Sequence, residues 1–327
     1  MIMSSIKQSK SVVEDNLRSY QNAYDQNHTM GSRKHRCQRN RSSIATLENL
    51  FGFRETSTFT GSSGLNGMIL EAPGSSKIAL EIIEPADSDS YLHSFLDGPH
   101  GQGLHHIAFQ VPSIEESVKF LRSEGIIPWG ETIDEEGTKY AYIHPRGGGQ
   151  GVLFQLYESE NAWNQALGFL DTDTSHLGIT ALNHLCHVTE SRENTANWYK
   201  NIFGLSTLYQ SPLGTSSNDA DHKVQFSSHL LDWPTKQSRI ELLEPHGDDS
   251  FLNDFLNKRG PGLHHLTFQV SDFEQALAAC ENYGVSVFGG REGVTDGASW
   301  RETFIHPKDA FGVLVQFFWE EKSGIWV

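Results

Sequence analysis

The sequence predicts an α+β protein made of four tandem βαβββ units, of which the first is incomplete. Residues 103–111 (GLHHIAFQV) return as residues 262–270 (GLHHLTFQV). Two further pairs of blocks flank them at matching distances: 81–85 (EIIEP) with 241–245 (ELLEP), and 151–155 (GVLFQ) with 312–316 (GVLVQ). Three matching blocks in one order indicate an internal duplication. Each copy also combines strand-like alternation with a helix signal.

The repeated histidine block is predicted to be a strand. In the second copy Leu266 and Phe268 alternate with His265 and Thr267. Side chains alternate across the two faces of a strand. The second histidine of each pair, His106 or His265, is therefore expected on the smaller, more polar face.

A helix is predicted after each of these strands. Ser113 and Asp272 each stand ahead of an early glutamate, which is typical of a helix start. Gly125 and Gly284 follow the apolar stripe, as C-terminal stop residues do. Three short strands complete each unit.

A unit of the same kind precedes the second copy, with a first strand at 182–188 and a last strand at 240–243. The first half keeps the last strand, at 80–83, but residues 34–39 (KHRCQR) are too polar and basic for a buried first strand. The resulting boundaries are a polar, disordered leader at 1–44, an N-terminal domain at 45–160, a linker at 161–178 and a C-terminal domain at 179–322.

Composition narrows the functional classes. The formal charge of −16 argues against a general nucleic-acid-binding protein. No apolar run approaches the roughly 20 residues of a membrane span. Cys37, Cys186 and Cys280 are odd in number and scattered, which favours a reducing compartment. We expect a cytoplasmic protein, with a mitochondrial location as the alternative suggested by the basic leader.

Two groups of motifs resemble signatures of the vicinal oxygen chelate superfamily, and within it of methylmalonyl-CoA epimerases. Residues 240–245 (IELLEP) and 262–265 (GLHH) resemble the central signature. Residues 305–309 (IHPKD) and 312–314 (GVL) resemble the C-terminal one. The resemblance implies that the units pair into two glyoxalase-like cups. Because this superfamily includes epimerases, lyases, dioxygenases and drug-binding proteins, it does not name a substrate.

The resemblance also implies a metal site in the second half. Carried over position by position, the ligands are His184, Glu241, His265 and Gln316. Two imidazoles, a carboxylate and an amide oxygen suit a six-coordinate divalent ion such as Mn, Co, Fe, Ni or Zn with two open positions. His187 competes with His184, although His184 falls where the family's first-strand ligand does.

The first half offers fewer ligands. Glu81, His106 and Gln155 occupy the matching positions, and the fourth ligand is absent unless it is His35. We therefore predict a degenerate N-terminal cup beside a metal-binding C-terminal cup.

Glu241 and Gln316 are the predicted catalytic residues, although Gln316 departs from the family, which carries a glutamate there. An amide oxygen can bind a metal but cannot accept a proton at neutral pH. Glu241 thus remains a candidate base, and Asp221, His222 and Lys223 are further candidates without a firm mapping.

Three functions are compatible with these residues. The leading hypothesis is an epimerase, isomerase or lyase in which a metal-chelated enolate forms from a small keto acid or acyl thioester. An Fe(II) dioxygenase of the hydroxyphenylpyruvate or extradiol type and a metal-free binding protein of the resistance type are the alternatives. The expected partner is a small molecule, an oxyanion or thioester. Neither a nucleic acid nor a membrane is expected as a partner. The oligomeric state is left open, with a homodimer as one alternative.

Overall fold

The computed structural model describes residues 41–61, 64–74, 78–99, 101–134, 137–159, 176–212, 217–219, 222–224, 226–234 and 238–324. The predicted leader lies outside this range except for its last positions, which begin the first helix. Most of the predicted linker also lies outside the described residues, as do His35 and Asp221.

The described residues form strands and short helices in the alternating order that the repeats predict. In the first half they are α1 (Arg41–Asn49), β1 (Arg54–Gly61), β2 (Leu65–Glu71), β3 (Ala79–Pro85), α2 (Leu92–Leu96), β4 (His106–Gln110), α3 (Ile114–Ser123), β5 (Trp129–Ile133), β6 (Lys139–Ile143) and β7 (Leu153–Glu158). In the second half they are β8 (Ile179–Val188), α4 (Arg192–Phe203), β9 (Ser206–Gln210), β10 (Ser217–Asp219), β11 (His222–Val224), β12 (Phe226–Asp232), β13 (Arg239–Pro245), α5 (Phe251–Arg259), β14 (Gly262–Val270), α6 (Phe273–Asn282), β15 (Val287–Thr295), β16 (Ala298–Ile305) and β17 (Leu314–Glu320). Among these helices none has the length and apolar character needed to cross a membrane.

The second half forms one eight-stranded sheet in the order β15-β16-β17-β14-β8-β13-β12-β9. Its two βαβββ units join through their first strands, since β8 pairs antiparallel with β14. Each unit also pairs its first strand in parallel with its last, β8 with β13 and β14 with β17. This confirms the predicted α+β fold of paired βαβββ units.

The first half forms two separate sheets, β1-β2-β3 and β4-β7-β6-β5. In the second half β8 joins the two corresponding sets of strands. The sequence counterpart of β8 is the segment 34–39, which lies outside the described residues. Within the described part of the chain no strand joins β3 to β4.

The hydrophobic cores combine units from different halves. One buried cluster joins α1 and β2 of the first unit to β14 and α6 of the last. Within it, the rings of Phe51 and Phe268 meet edge to face, with their centroids 6.2 Å apart. A second cluster joins the second and third units, where Phe154 of β7 packs edge to face on Tyr199 of α4. α1, α3, α4 and α6 therefore bury apolar surface in cores that both halves share.

Two glycine-containing turns, one in each half, lie in close contact with the backbone of the other half. A Cβ atom added to Gly151 would lie 2.0 Å from the carbonyl oxygen of Pro261, and one added to Gly312 would lie 2.2 Å from that of Gln102. Both glycines also have positive φ angles, of 89° and 77°. Because the two contacts join equivalent segments of opposite halves, the halves are related by an approximate two-fold axis.

Candidate metal centre

The four predicted ligands are carried by four adjacent strands of the eight-stranded sheet. His184 lies on β8, Glu241 on β13, His265 on β14 and Gln316 on β17. Because these strands neighbour one another in the order β17-β14-β8-β13, their side chains can meet near the middle of the sheet.

Three of these side chains converge on one point. Nε2 of His184 lies 3.4 Å from Oε2 of Glu241, and Nε2 of His265 lies 3.7 Å from the same oxygen. The side chains of His184, His265 and Glu241 are only 0%, 4% and 12% exposed. Ligands bound at about 2.0–2.2 Å to one ion lie about 3–3.5 Å apart, so a small inward adjustment would enclose a divalent metal.

His265 presents a buried ring nitrogen to the centre. Its Nε2 is buried and makes no hydrogen bond, an arrangement that costs on the order of 1–3 kcal/mol without a partner. Burial, followed by the neighbouring His264 and His184, holds the pKa of His265 well below its usual value. The Nδ1 atoms of His264 and His265 lie 2.9 Å apart. If His265 donates its proton there, its Nε2 lone pair is free to face Glu241.

Thr267 links His184 to Gln316. Its hydroxyl oxygen lies 2.8 Å from Nε2 of His184 and 2.7 Å from Oε1 of Gln316. The hydroxyl has one proton, and Nδ1 of His184 lies 2.9 Å from Oδ1 of Asn183, which favours protonation at Nδ1. Nε2 of His184 and Oε1 of Gln316 thus both lie within hydrogen-bond distance of one hydroxyl, and both are atom types that divalent metals bind. The residues present therefore fit a divalent metal.

A family model for the glyoxalase/bleomycin resistance protein/dioxygenase superfamily matches residues 37–142 and 183–304. The chain belongs to this superfamily. The match falls on both halves, which agrees with the duplication and confirms the resemblance stated from the sequence motifs.

Relatives within the superfamily carry out different reactions. The mitochondrial methylmalonyl-CoA epimerase of Dictyostelium discoideum is 31% identical over 148 residues, covering 45% of this chain and 81% of the epimerase. The 4-hydroxyphenylpyruvate dioxygenase of Legionella pneumophila (strain Corby) is 31% identical over 99 residues, which is 30% of this chain and 27% of the dioxygenase. Both an epimerase and a dioxygenase are thus among the relatives.

One solved structure superposes on most of this chain, across both halves. It is a variant of 4-hydroxymandelate synthase from Streptomyces coelicolor, which superposes with a TM-score of 0.62 over 86% of this chain and 89% of the synthase. The two sequences are 14% identical, so the likeness concerns the fold.

The cluster of side chains seen in the second half is only partly reproduced in the first half. Nε2 of His106 lies 3.0 Å from Oε2 of Glu81, so these two side chains meet. The amide of Gln155 instead donates to the hydroxyl of Tyr142 at 3.4 Å. The described part of the first half contains no strand in the place of β8, and therefore no counterpart of His184.

His187, the competing first-strand histidine, has a structural environment. It is fully buried, with Nε2 2.9 Å from the carbonyl oxygen of Gln150 and Nδ1 3.1 Å from the hydroxyl of Tyr199. Burial lowers the pKa of His187 to about 4. The neutral ring can donate to Gln150 and accept from Tyr199, so His187 joins the two halves on the opposite face of β8 from His184.

Sequence reasoning missed several residues around the centre. Cys186 follows His184 by two positions, and its thiol lies with the imidazoles of His264 and His265 in a second group of potential ligands. Burial, and then Glu241, raise the pKa of Cys186 well above its usual value, so the thiol is neutral. The two-residue period of a strand could have placed Cys186 on the same face as His184. Glu302, which contacts Gln316, was also missed.

Two aromatic rings, of Phe304 and Phe288, lie beside the centre. The ring of Phe304 meets that of His265 nearly at right angles, with centroids 5.8 Å apart. Phe288 packs on Phe304 and is 47% exposed. The centre therefore has an apolar side that reaches solvent, where an organic ligand could lie beside the polar groups.

Proposed function

We propose that the second half is a divalent-metal enzyme that isomerises or epimerises, or cleaves as a lyase, a small keto acid or acyl thioester. The convergence of the His184, His265 and Glu241 donor atoms on one buried point carries the proposal. The match to methylmalonyl-CoA epimerases supports this reaction class.

Four side chains would hold the metal: the Nε2 atoms of His184 and His265, the carboxylate of Glu241 and the amide oxygen of Gln316. When bound, the metal would act as a Lewis acid that stabilises the negative charge of an enolate. A six-coordinate ion would leave two positions for substrate oxygens.

The charge of the ligand set favours an anionic substrate. Glu241 is its only ionised member, because His184 and His265 bind as neutral imidazoles and Gln316 is an amide. A divalent ion would keep a net positive charge in this set. An oxyanion or a developing enolate would therefore be attracted to the centre, although the whole chain is acidic.

Proton transfer is assigned to Glu241 rather than Gln316. A carboxylate can accept a proton from the carbon next to a carbonyl, whereas an amide cannot at neutral pH. Glu241 is also 12% exposed, so it borders the accessible side of the centre. Gln316 would act as a ligand.

Metal content and proton exchange test this function together. The purified full-length chain is assayed for bound metal and then incubated in D2O with a panel of α-keto acids, β-keto acids and acyl thioesters. Deuterium at the α-carbon that depends on added Mn, Co, Fe, Ni or Zn is the expected result. A chain that neither retains a metal nor gains thermal stability from one would instead match a metal-free binding protein.

An Fe(II) dioxygenase is the second candidate. His184, His265 and Glu241 also form a two-histidine, one-carboxylate set, which is typical of non-haem iron oxygenases. The dioxygenase relative supports this reading. Oxygen uptake by the Fe(II)-loaded chain with keto acids or catechols would favour it over the epimerase, and substrate-dependent exchange without oxygen uptake would exclude it.

Partners and location follow from the same proposal. The substrate is expected to be a small molecule, and the cytoplasm remains the expected compartment. The epimerase relative from Dictyostelium discoideum is a mitochondrial protein, so a mitochondrial location is the alternative.

A further inference from the structure

We propose that Glu302 is a positioning residue that makes Gln316 a metal ligand by determining which end of its amide faces the centre. The inference rests on the proposed metal site. Glu302 is fully buried on β16, the strand next to β17, and Gln316 is almost fully buried. An ionised carboxylate buried without a partner is strongly destabilising, so the contacts of Glu302 need an explanation.

An amide has two ends of similar shape, and only its oxygen can bind a cation. Nε2 of Gln316 donates to Oε2 of Glu302 at 3.0 Å, and Oε1 of Gln316 accepts from Thr267 at 2.7 Å. Reversing the amide would place its oxygen against the carboxylate, acceptor against acceptor. Glu302 therefore holds the Gln316 oxygen on the side of Thr267 and His184.

Arg291 keeps this carboxylate suitable for the role. Nε of Arg291 lies 2.5 Å from Oε1 of Glu302, and a second guanidinium nitrogen contacts the same oxygen. The other oxygen is left for Gln316. The Arg291 side chain is 30% exposed, so the guanidinium extends from the solvent side to pair with a buried charge. Hydrogen bonds to ionised acceptors are also stronger than those between neutral groups.

The first half provides a natural comparison. Strand register places Tyr140 where Glu302 stands and Ala108 where Thr267 stands. The hydroxyl of Tyr140 donates to Asp134, and the amide of Gln155 meets the hydroxyl of Tyr142. A hydroxyl both donates and accepts, so it does not select one orientation of an amide. Glu302, which selects the orientation, and Thr267, which contacts the Gln316 oxygen, are thus both replaced around Gln155.

Metal titration of the full-length chain with Co2+ alone tests the inference. The variants are E302Q, Q316A and the double variant E302Q/Q316A. E302Q preserves the shape of the side chain, but Arg291 would take its single oxygen, leaving its NH2 group to face Gln316. We expect E302Q to weaken Co2+ binding by about 10–100-fold, the usual range for a group that orients a ligand. The visible absorption bands of the bound ion should also change.

The double variant separates an effect on Gln316 from a general effect on packing. If Glu302 acts through Gln316, adding E302Q to Q316A should leave the Co2+ affinity unchanged. Y140F, at the matching position of the first half, is the control and should bind Co2+ as the wild type does. Melting temperatures without metal report whether each variant folds.

The possible failures are distinguishable. Wild-type protein that binds no Co2+ would overturn the proposed metal function and this inference with it. Wild-type binding with an unchanged E302Q affinity would overturn the role of Glu302 alone. So would an equal loss on adding E302Q to the wild type and to Q316A.

Discussion

Nε2 of His265 and Oε2 of Glu241 lie 3.7 Å apart in the second half, whereas the equivalent atoms of His106 and Glu81 lie 3.0 Å apart in the first. In the second half a third donor lies beside this pair, because Nε2 of His184 is 3.4 Å from the same oxygen of Glu241. Three donors around one point can enclose an ion, whereas the described part of the first half brings only this histidine and glutamate together. The two halves are therefore unequal at the point where their sequences are most alike.

This inequality predicts which histidine retains metal. H265A should abolish metal retention because it removes one of three converging donors, whereas H106A should leave retention intact. Metal content of the purified variants, measured by mass spectrometry, checks the prediction. Equal loss from both variants would contradict the assignment of the working centre to the second half.

His187 predicts a pH dependence of stability. Its pKa in the folded chain is about 4, against about 6.5 when unfolded, so the unfolded chain binds more protons between these values. Stability should therefore fall as pH drops from about 6.5 to about 4, and His187 alone should contribute on the order of 3 kcal/mol to that loss.

The measurement is urea unfolding of the metal-free chain at pH 7 and pH 4.5. H187Q should be less stable than the wild type at pH 7, because it disturbs the contacts with Gln150 and Tyr199, and should lose less stability on acidification. A variant with the same pH dependence as the wild type would show that His187 is not the titrating group.

Gly151 predicts a steric effect at the contact between halves. G151A should destabilise the chain strongly, because the added Cβ would meet the carbonyl oxygen of Pro261 and φ is positive. G125A is the matched control: its φ is also positive, but nothing lies within 4 Å of the added atom. It should cost about 1–2 kcal/mol through backbone strain alone. Equal losses in thermal unfolding would argue against tight contact between the halves.

Phe154 predicts coupled unfolding of the two halves. F154A should destabilise the chain by about 3–5 kcal/mol, because the ring is fully buried against Tyr199 of the other half. The Co2+ absorption of the second half and the far-ultraviolet circular dichroism should shift to the same lower denaturant midpoint. A Co2+ signal that keeps its wild-type midpoint would show that the second half unfolds independently.

Much of the strand content and the proposed ligand positions could be predicted from sequence. Alternation placed His265 opposite Leu266, and the repeated blocks placed Glu241 and Gln316 in strands that frame the same unit. These features are local, because they depend on residues one or two positions apart. The resemblance then selected His184 over His187, and the structure brings His184 together with Glu241.

The remaining features depend on contacts between distant segments. Glu302 meets Gln316 only because β16 and β17 pair in one particular register. The apolar stripes of α3 and α6 can be read from the sequence, but an apolar stripe does not state which other apolar surface will cover it. The sequence therefore predicts the elements, but it does not predict that each core is shared between the two halves.

Because each core contains residues of both halves, the predicted domain boundary does not separate two independent cores. Separating the chain at the predicted linker, 161–178, would divide it into the two predicted domains. It would also uncover the apolar sides of α4 and α6, which α3, β7 and α1 bury in the intact molecule. The second half expressed alone should therefore aggregate or pair with another copy of itself.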